Sequence, residues 1–135
     1  MTIQLSEACR NARLDAFETF VGTSPILKIR TGTQPGTVAD ADSGTVLMSI
    51  TLSSDWAAAA SGGTKSFTDL PGSFAASGSG IAAHFRLYKS DGTTCVMQGS
   101  ISLSGNGGNM TVSNDSMTSG FSYTVNAFSI GDGNA

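Results

Sequence analysis

The chain has 135 residues, a net charge of −3 and seven basic side chains that form no block, so a phosphate-lined nucleic-acid surface is not expected. One histidine, two distant cysteines and ten acidic residues scattered singly supply no metal-ligand set and no nucleophile–base pair. What fills their place is 17 Gly, 20 Ser and 15 Thr between short apolar runs, the composition of a small β-rich body with small-residue turns.

No leader with a basic start and apolar core opens the chain, and no run approaches the roughly 20 apolar residues of a membrane-spanning helix. Synthesis and retention in a cytoplasm are therefore expected, with no membrane partner. Cys9 and Cys95 read as free thiols in that setting, with a bridge between them the alternative. The length suits a single core of modest size, because alanines abound and there are seven Phe and one Trp.

Taken in order, the chain opens with a helix. From Leu5 to Val21, apolar residues fall at Leu5, Ala8, Cys9, Ala12, Ala16, Phe17 and Phe20, with Glu7, Arg10, Asn11, Asp15 and Glu18 on the other side. Ser6 is the candidate N-cap, and Gly22 followed by Pro25 is the stop signal. The apolar stripe is expected to pack against the sheet edge or against a neighbour. Residues 1–24 thus form a helical segment, and 25–135 a single β-sandwich domain.

After Pro25 the period shifts to two. Ile26–Arg30 and Val46–Leu52 read as strands around a Gly/Thr/Asp-rich loop. Within that loop, Asp40-Ala41-Asp42-Ser43-Gly44 lacks the spacing of a calcium loop and reads as a turn. Trp56–Ala60 reads as one helical turn, Lys65–Leu70 as a weak strand and Pro71–Gly80 as loop. Gly80–Lys89 and Thr94–Ser104 form a hairpin about Asp91-Gly92. A two-residue loop would set Phe85 opposite Gln98. A three-residue loop pairs Leu87 with Cys95, Phe85 with Met97 and Ile81 with Ile101, and is preferred because it gathers one apolar face. It sends His84, Arg86, Tyr88, Val96 and Gln98 to a mixed face that suits an interface. Gly105–Gly108 reads as a hairpin loop into Met110–Ser113, Phe121–Ile130 as a regular central strand, and Gly131–Ala135 as a loose tail. Seven or eight short strands without an internal repeat predict a mainly β fold, a β-sandwich or jelly-roll-like barrel with one N-terminal helix.

The candidate chemistry is sparse. His84 stands mid-strand with no nucleophile elbow in the chain, and reads as a surface or interface histidine. Trp56 reads as a core or interface anchor, with a sugar-stacking platform shared with Tyr88 as the alternative. No catalytic, cofactor or metal-binding residue is assigned.

Two stretches carry a family likeness: Ala12-Arg13-Leu14-Asp15-Ala16-Phe17-Glu18-Thr19, and Gly22-Thr23-Ser24-Pro25-Ile26-Leu27-Lys28-Ile29-Arg30-Thr31-Gly32. Together with Ser54-Asp55-Trp56, His84-Phe85-Arg86-Leu87-Tyr88 and the Gly-Asn-Ala ending, they resemble small virion proteins of tailed bacteriophages over nearly the whole chain. The resemblance implies a structural virion protein, of the capsid cement or decoration type, that bridges capsomers on the capsid exterior after the shell expands. Its partners would be the major capsid protein and itself, as a homodimer or homotrimer. The expected contact residues are Arg10, Arg13 and Phe17 on the helix, with Trp56, Arg86 and Tyr88. A neck, tail or fibre component and a jelly-roll carbohydrate-binding module are the alternatives.

Overall fold

A computed structural model describes residues 3–132. The chain is mainly β with one N-terminal helix, as its composition predicts. Helix α1 spans Glu7–Val21, and strands β1 (Ile26–Arg30) and β2 (Val46–Thr51) follow it. Then come β3 (Thr64–Ser66), β4 (Gly72–Ala75), β5 (Gly80–Ile81), β6 (His84–Tyr88) and β7 (Cys95–Leu103). The last four are β8 (Met110–Val112), β9 (Ser116–Met117), β10 (Ser122–Val125) and β11 (Ser129–Gly131).

Seven strands make one sheet in the order β2-β1-β6-β7-β8-β10-β4, and β3–β11 and β5–β9 form two small ribbons beside it. The sheet rolls up until its edges meet. The Ser77 and Gly78 amides both donate to the Leu47 carbonyl, at 2.8 and 3.2 Å, which joins the chain after β4 to the start of β2. Of the sandwich and barrel forms, the large sheet therefore takes the barrel-like one, which protects most of its edges from foreign pairing.

Alternation along each strand sets the core. Leu27 and Ile29, Met48 and Ile50, Phe85 and Leu87, Met110 and Val112, and Val125 are all buried in one apolar cluster. An edge-to-face aromatic chain runs through it: Phe17 to Trp56 at 6.2 Å, Trp56 to Phe67 at 4.9 Å, Phe67 to Phe128 at 5.0 Å and Phe128 to Phe85 at 5.5 Å between centroids. That chain ties α1 to the middle of the barrel.

Several local expectations are corrected. Residues Trp56–Ala60 are extended and not helical: Ala57 bridges to Phe67, and the Ala58 amide donates to the Ser66 carbonyl. The stretch read as loop contains β4, which pairs along β10 from Gly72↔Val125 to Ala75↔Ser122. Its small residues hide the strand signal, and partner pairing supplies what propensity lacks. The terminal run splits into β10 and β11, with β10 lying between β8 and β4 inside the sheet as expected of a regular strand. The tail is not loose where it is described. The Asp132 amide donates to the Gly63 carbonyl at 2.9 Å, and residues 133–135 lie outside the described part.

The β6–β7 hairpin keeps its strands but changes its register. Leu87 pairs with Met97, Phe85 with Gly99 and Tyr88 with Cys95, with a bulge between Leu87 and Tyr88. The Asp91 carboxylate accepts from the Thr93 and Thr94 amides at 2.8 and 2.9 Å and from the Thr94 hydroxyl at 2.5 Å, which builds a longer turn than either expected loop. Val96 becomes the unpaired residue of the bulge.

Gly105–Gly108 is likewise no simple hairpin loop, because β7 and β8 are parallel, with Ile101 opposite Met110. The chain first doubles back along β7. The Gly108 amide donates to Ser102 Oγ at 2.9 Å, while Asn109 Oδ1 accepts from the Ser100 amide at 3.0 Å in place of a strand carbonyl. A Cβ on Gly108 would lie 2.6 Å from the Ser102 nitrogen, so glycine permits the close pass.

Candidate interaction surface

The mixed face of β6 is present but closed. His84, Arg86 and Tyr88 do share one side of the strand, yet they are 0 %, 1 % and 1 % exposed. The loop between β1 and β2 folds over them. Arg86 donates to Asp42 Oδ1 at 2.6 Å and to the Asp40, Thr37 and Val38 carbonyls at 3.1, 3.3 and 2.8 Å. The Tyr88 hydroxyl donates to the same Asp42 oxygen at 2.5 Å, and Arg30 reaches Asp42 Oδ2 at 3.6 Å and the Ser43 carbonyl at 2.9 Å. Gln98 holds the Pro35 carbonyl at 2.8 Å. Asp42, which the sequence placed in an ordinary turn, is thus the hub of a loop clamp.

The clamp shifts its own titrations. Burial works to raise the Asp42 carboxyl, but hydrogen bonds from Tyr88 and Arg86 and the charges of Arg30 and Arg86 outweigh it and hold the group below 3.8. Burial and the Asp42 carboxylate push the Tyr88 phenol up to about 12. Burial lowers His84 below 6.5, the Gly32 carbonyl opposes this, and the neighbouring arginines lower it further.

Helix α1 does not lay its small-residue stripe on the sheet edge, the first of the two packings expected: its polar side faces the protein. Glu7, Asn11 and Asp15, four residues apart on one face, accept from the Gly62, Gly63 and Ala60 amides at 3.1, 2.9 and 2.9 Å. Lys65 from β3, with 0 % side-chain exposure, inserts between Asp15 at 2.7 Å and Glu18 at 2.5 Å, and donates to the Ala58 carbonyl at 2.9 Å. Burial pulls the Lys65 ammonium down, but its two carboxylates prevail and raise it above 10.5. The turn around Gly62-Gly63 carries no side chains to satisfy its own amides, so the helix supplies the acceptors. Leu14 and Val21 add the apolar part of the contact.

The consequence is an outward apolar stripe. Ala8, Cys9, Ala12, Ala16 and Phe20 are all exposed along α1, and Phe20 is 63 % exposed with the Lys89 ammonium 4.0 Å above its ring. Ile3, just before the helix, is 83 % exposed. Cys9 and Cys95 are free thiols, the first exposed and the second half-buried.

Of the expected contact residues, Trp56, Arg86 and Tyr88 are therefore corrected: each is enclosed by its own chain and offers nothing to a neighbour. Trp56 is 0 % exposed, with its indole nitrogen donating to the Gly22 carbonyl at 2.8 Å, because the lone Trp fills the gap between α1 and the barrel. Neither Trp56 nor Tyr88 presents a face on which a sugar could stack. Phe17 is half-buried against Trp56, and Arg10 donates to the Asp132 carbonyl at 3.1 Å. Arg13 remains outward, 59 % exposed while paired to Asp132 at 3.2 Å.

Two grooves open on the described surface. One of about 420 Å³ opens where the barrel seam diverges, between Ile50–Ser53 and Gly72–Phe74, and Asp69 closes its far end by accepting from the Ser53 amide and hydroxyl. A second of about 300 Å³ lies between β7 and β11, lined by Met97, Gln98, Asn109, Phe128 and Ile130 among others. Among the described residues, no group of three or more His, Cys, Asp or Glu converges as a metal set, and no helix is long and apolar enough to cross a membrane. Compared with known proteins, the chain matches no family model, no curated protein and no solved structure.

Proposed function

We propose that this chain is a non-enzymatic structural protein of a phage virion, a cement or decoration protein that binds the capsid exterior through helix α1. The observation that carries this reading is the outward stripe Ala8-Ala12-Ala16-Phe20 on a helix riveted to the barrel by polar contacts. Small side chains let another surface approach closely, and Phe20 supplies an anchor. The polar side chains that could do chemistry, His84, Arg86, Tyr88 and Lys65, are instead committed to holding the loop and the helix in place. The likeness to small virion proteins of tailed phages supports the same role. Repetition over a shell turns modest individual contacts into tight binding.

The test is the molar ratio of this chain to the major capsid protein in purified virions, by quantitative mass spectrometry. A cement protein following the shell's symmetry gives a ratio of about one half to one. A ratio of a few hundredths moves the chain to the neck or tail, and absence from virions ends the structural reading.

A further inference from the structure

The single histidine is buried where a charge is least welcome. His84 is 0 % exposed, lies opposite Arg30 of β1 in the strand ladder, and stands two residues from Arg86 on the same face. Its Nδ1 is 2.9 Å from the Gly32 carbonyl, at the root of the 31–45 loop. A carbonyl only accepts, so Nδ1 carries the hydrogen and the neutral ring keeps its lone pair on Nε2. That Nε2 is buried and has no hydrogen-bond partner among the described residues.

We propose that His84 is an acid-sensitive latch: protonation at Nε2 opens the 31–45 loop and uncovers the outer face of β1, β6 and β7. A proton there creates a buried N–H with no acceptor and a third cation beside Arg30 and Arg86. No carboxylate facing the ring is free to neutralise it. β1 contributes Arg30; β6 contributes Arg86 and Tyr88; β7 contributes Ser100, whose hydroxyl serves Asn109, and the neutral Gln98, whose Oε1 is buried without a partner among the described residues and outside hydrogen-bond distance of Nε2. The loop contributes Asp40, whose carboxylate accepts from the Thr37 amide, and Asp42, which already serves Arg86, Arg30 and Tyr88.

Opening relieves the conflict by hydrating the ring. It is also inexpensive, because most residues from Gly32 to Gly44 are exposed and the loop is held chiefly by the polar clamp. The sign follows from linkage. Burial holds the ring below its ordinary 6.5 when the loop is closed, and hydration on opening moves it back toward that value. The closed form is therefore fully favoured above 6.5 and loses ground as pH falls from 6.5 to the closed-state value. The loss through His84 sets in as pH falls past 6.5, whereas the loss through the Asp42 carboxylate sets in only below 3.8, so the onsets are separate.

The experiment is amide hydrogen exchange of the full chain from about pH 7 to about pH 4, corrected for intrinsic rates, alongside an NMR titration of the one imidazole. Exchange at the loop-root amides Thr31 and Thr45, whose acceptors are not carboxylates, is expected to rise by up to about tenfold per pH unit below 6.5, while β1 and β8 stay protected. In His84→Gln the loop amides should show no such rise. A pH-independent loop in the wild type, an equal rise in His84→Gln, or loss of protection in all strands together overturns the latch. If His84→Gln does not fold, the wild type decides alone: loop opening must follow the imidazole titration, and opening that does not follow it overturns the proposal.

Discussion

At the scale of single residues, the polar side chains of β6 show how alternation and burial are separate questions. Period-two reading placed His84, Arg86 and Tyr88 together on one side of the strand, and they are there. It could not show that a loop 44 to 49 residues earlier would bring Asp42 and the Thr37, Val38 and Asp40 carbonyls across that face. Tyr88→Phe removes one hydrogen bond to a carboxylate and should cost about 1–2 kcal/mol in urea unfolding. The phenol is raised from 10 to about 12, so its share of stability is present below pH 10 and fades as pH rises from there to about 12. Tyr88→Phe should therefore lack that alkaline loss, which a stability profile against pH reads directly. Trp56 makes the opposite point. A lone Trp in a modest core was legible as an anchor, and Trp56→Ala should cost about 3–5 kcal/mol because the cavity opens between Phe17 of α1, Phe67 and the barrel core.

At the scale of elements, α1 was legible in position and in both caps. Ser6 Oγ accepts from the Cys9 amide at 3.2 Å, and Gly22 takes φ 85° with its amide on the Glu18 carbonyl. Its orientation was not legible. Apolar stripes normally face inward, but here the inward surface is the amide-rich turn at 60–63, which needs acceptors more than it needs alanines. Lys65→Met should loosen the helix, costing about 1–3 kcal/mol. Asp15 and Glu18 lose their cation but keep access to water, which limits the loss. Protease cleavage within α1 should accelerate accordingly. Ala12→Arg on the outward stripe should leave urea unfolding unchanged within about 0.5 kcal/mol, while the capsid-binding role proposed above requires it to reduce binding to expanded capsids that lack the protein. Equal binding by Ala12→Arg would remove α1 as the contact surface.

At the scale of the whole molecule, α1 and the barrel share one core, since Phe17 and Val21 pack on Trp56 and the strands behind it. Removing residues 1–22 should leave Trp56 exposed and its indole nitrogen without the Gly22 carbonyl. The expected result is loss of a cooperative thermal transition by circular dichroism, where the full chain shows a single one. A β body that melts cooperatively without α1 would mean two independent units.

Composition and periodicity alone determined the mainly β class, the helix with its caps, the exact span of β1 and the inward set on β6, because these depend on neighbours a few residues apart. Tertiary structure decided the rest: the parallel β7–β8 pairing, the bulged hairpin register, strand β4, the turned helix and the clamped loop. Each of these is settled by backbone amides or buried charges that must find partners from distant segments. No local pattern encodes which segment will supply them.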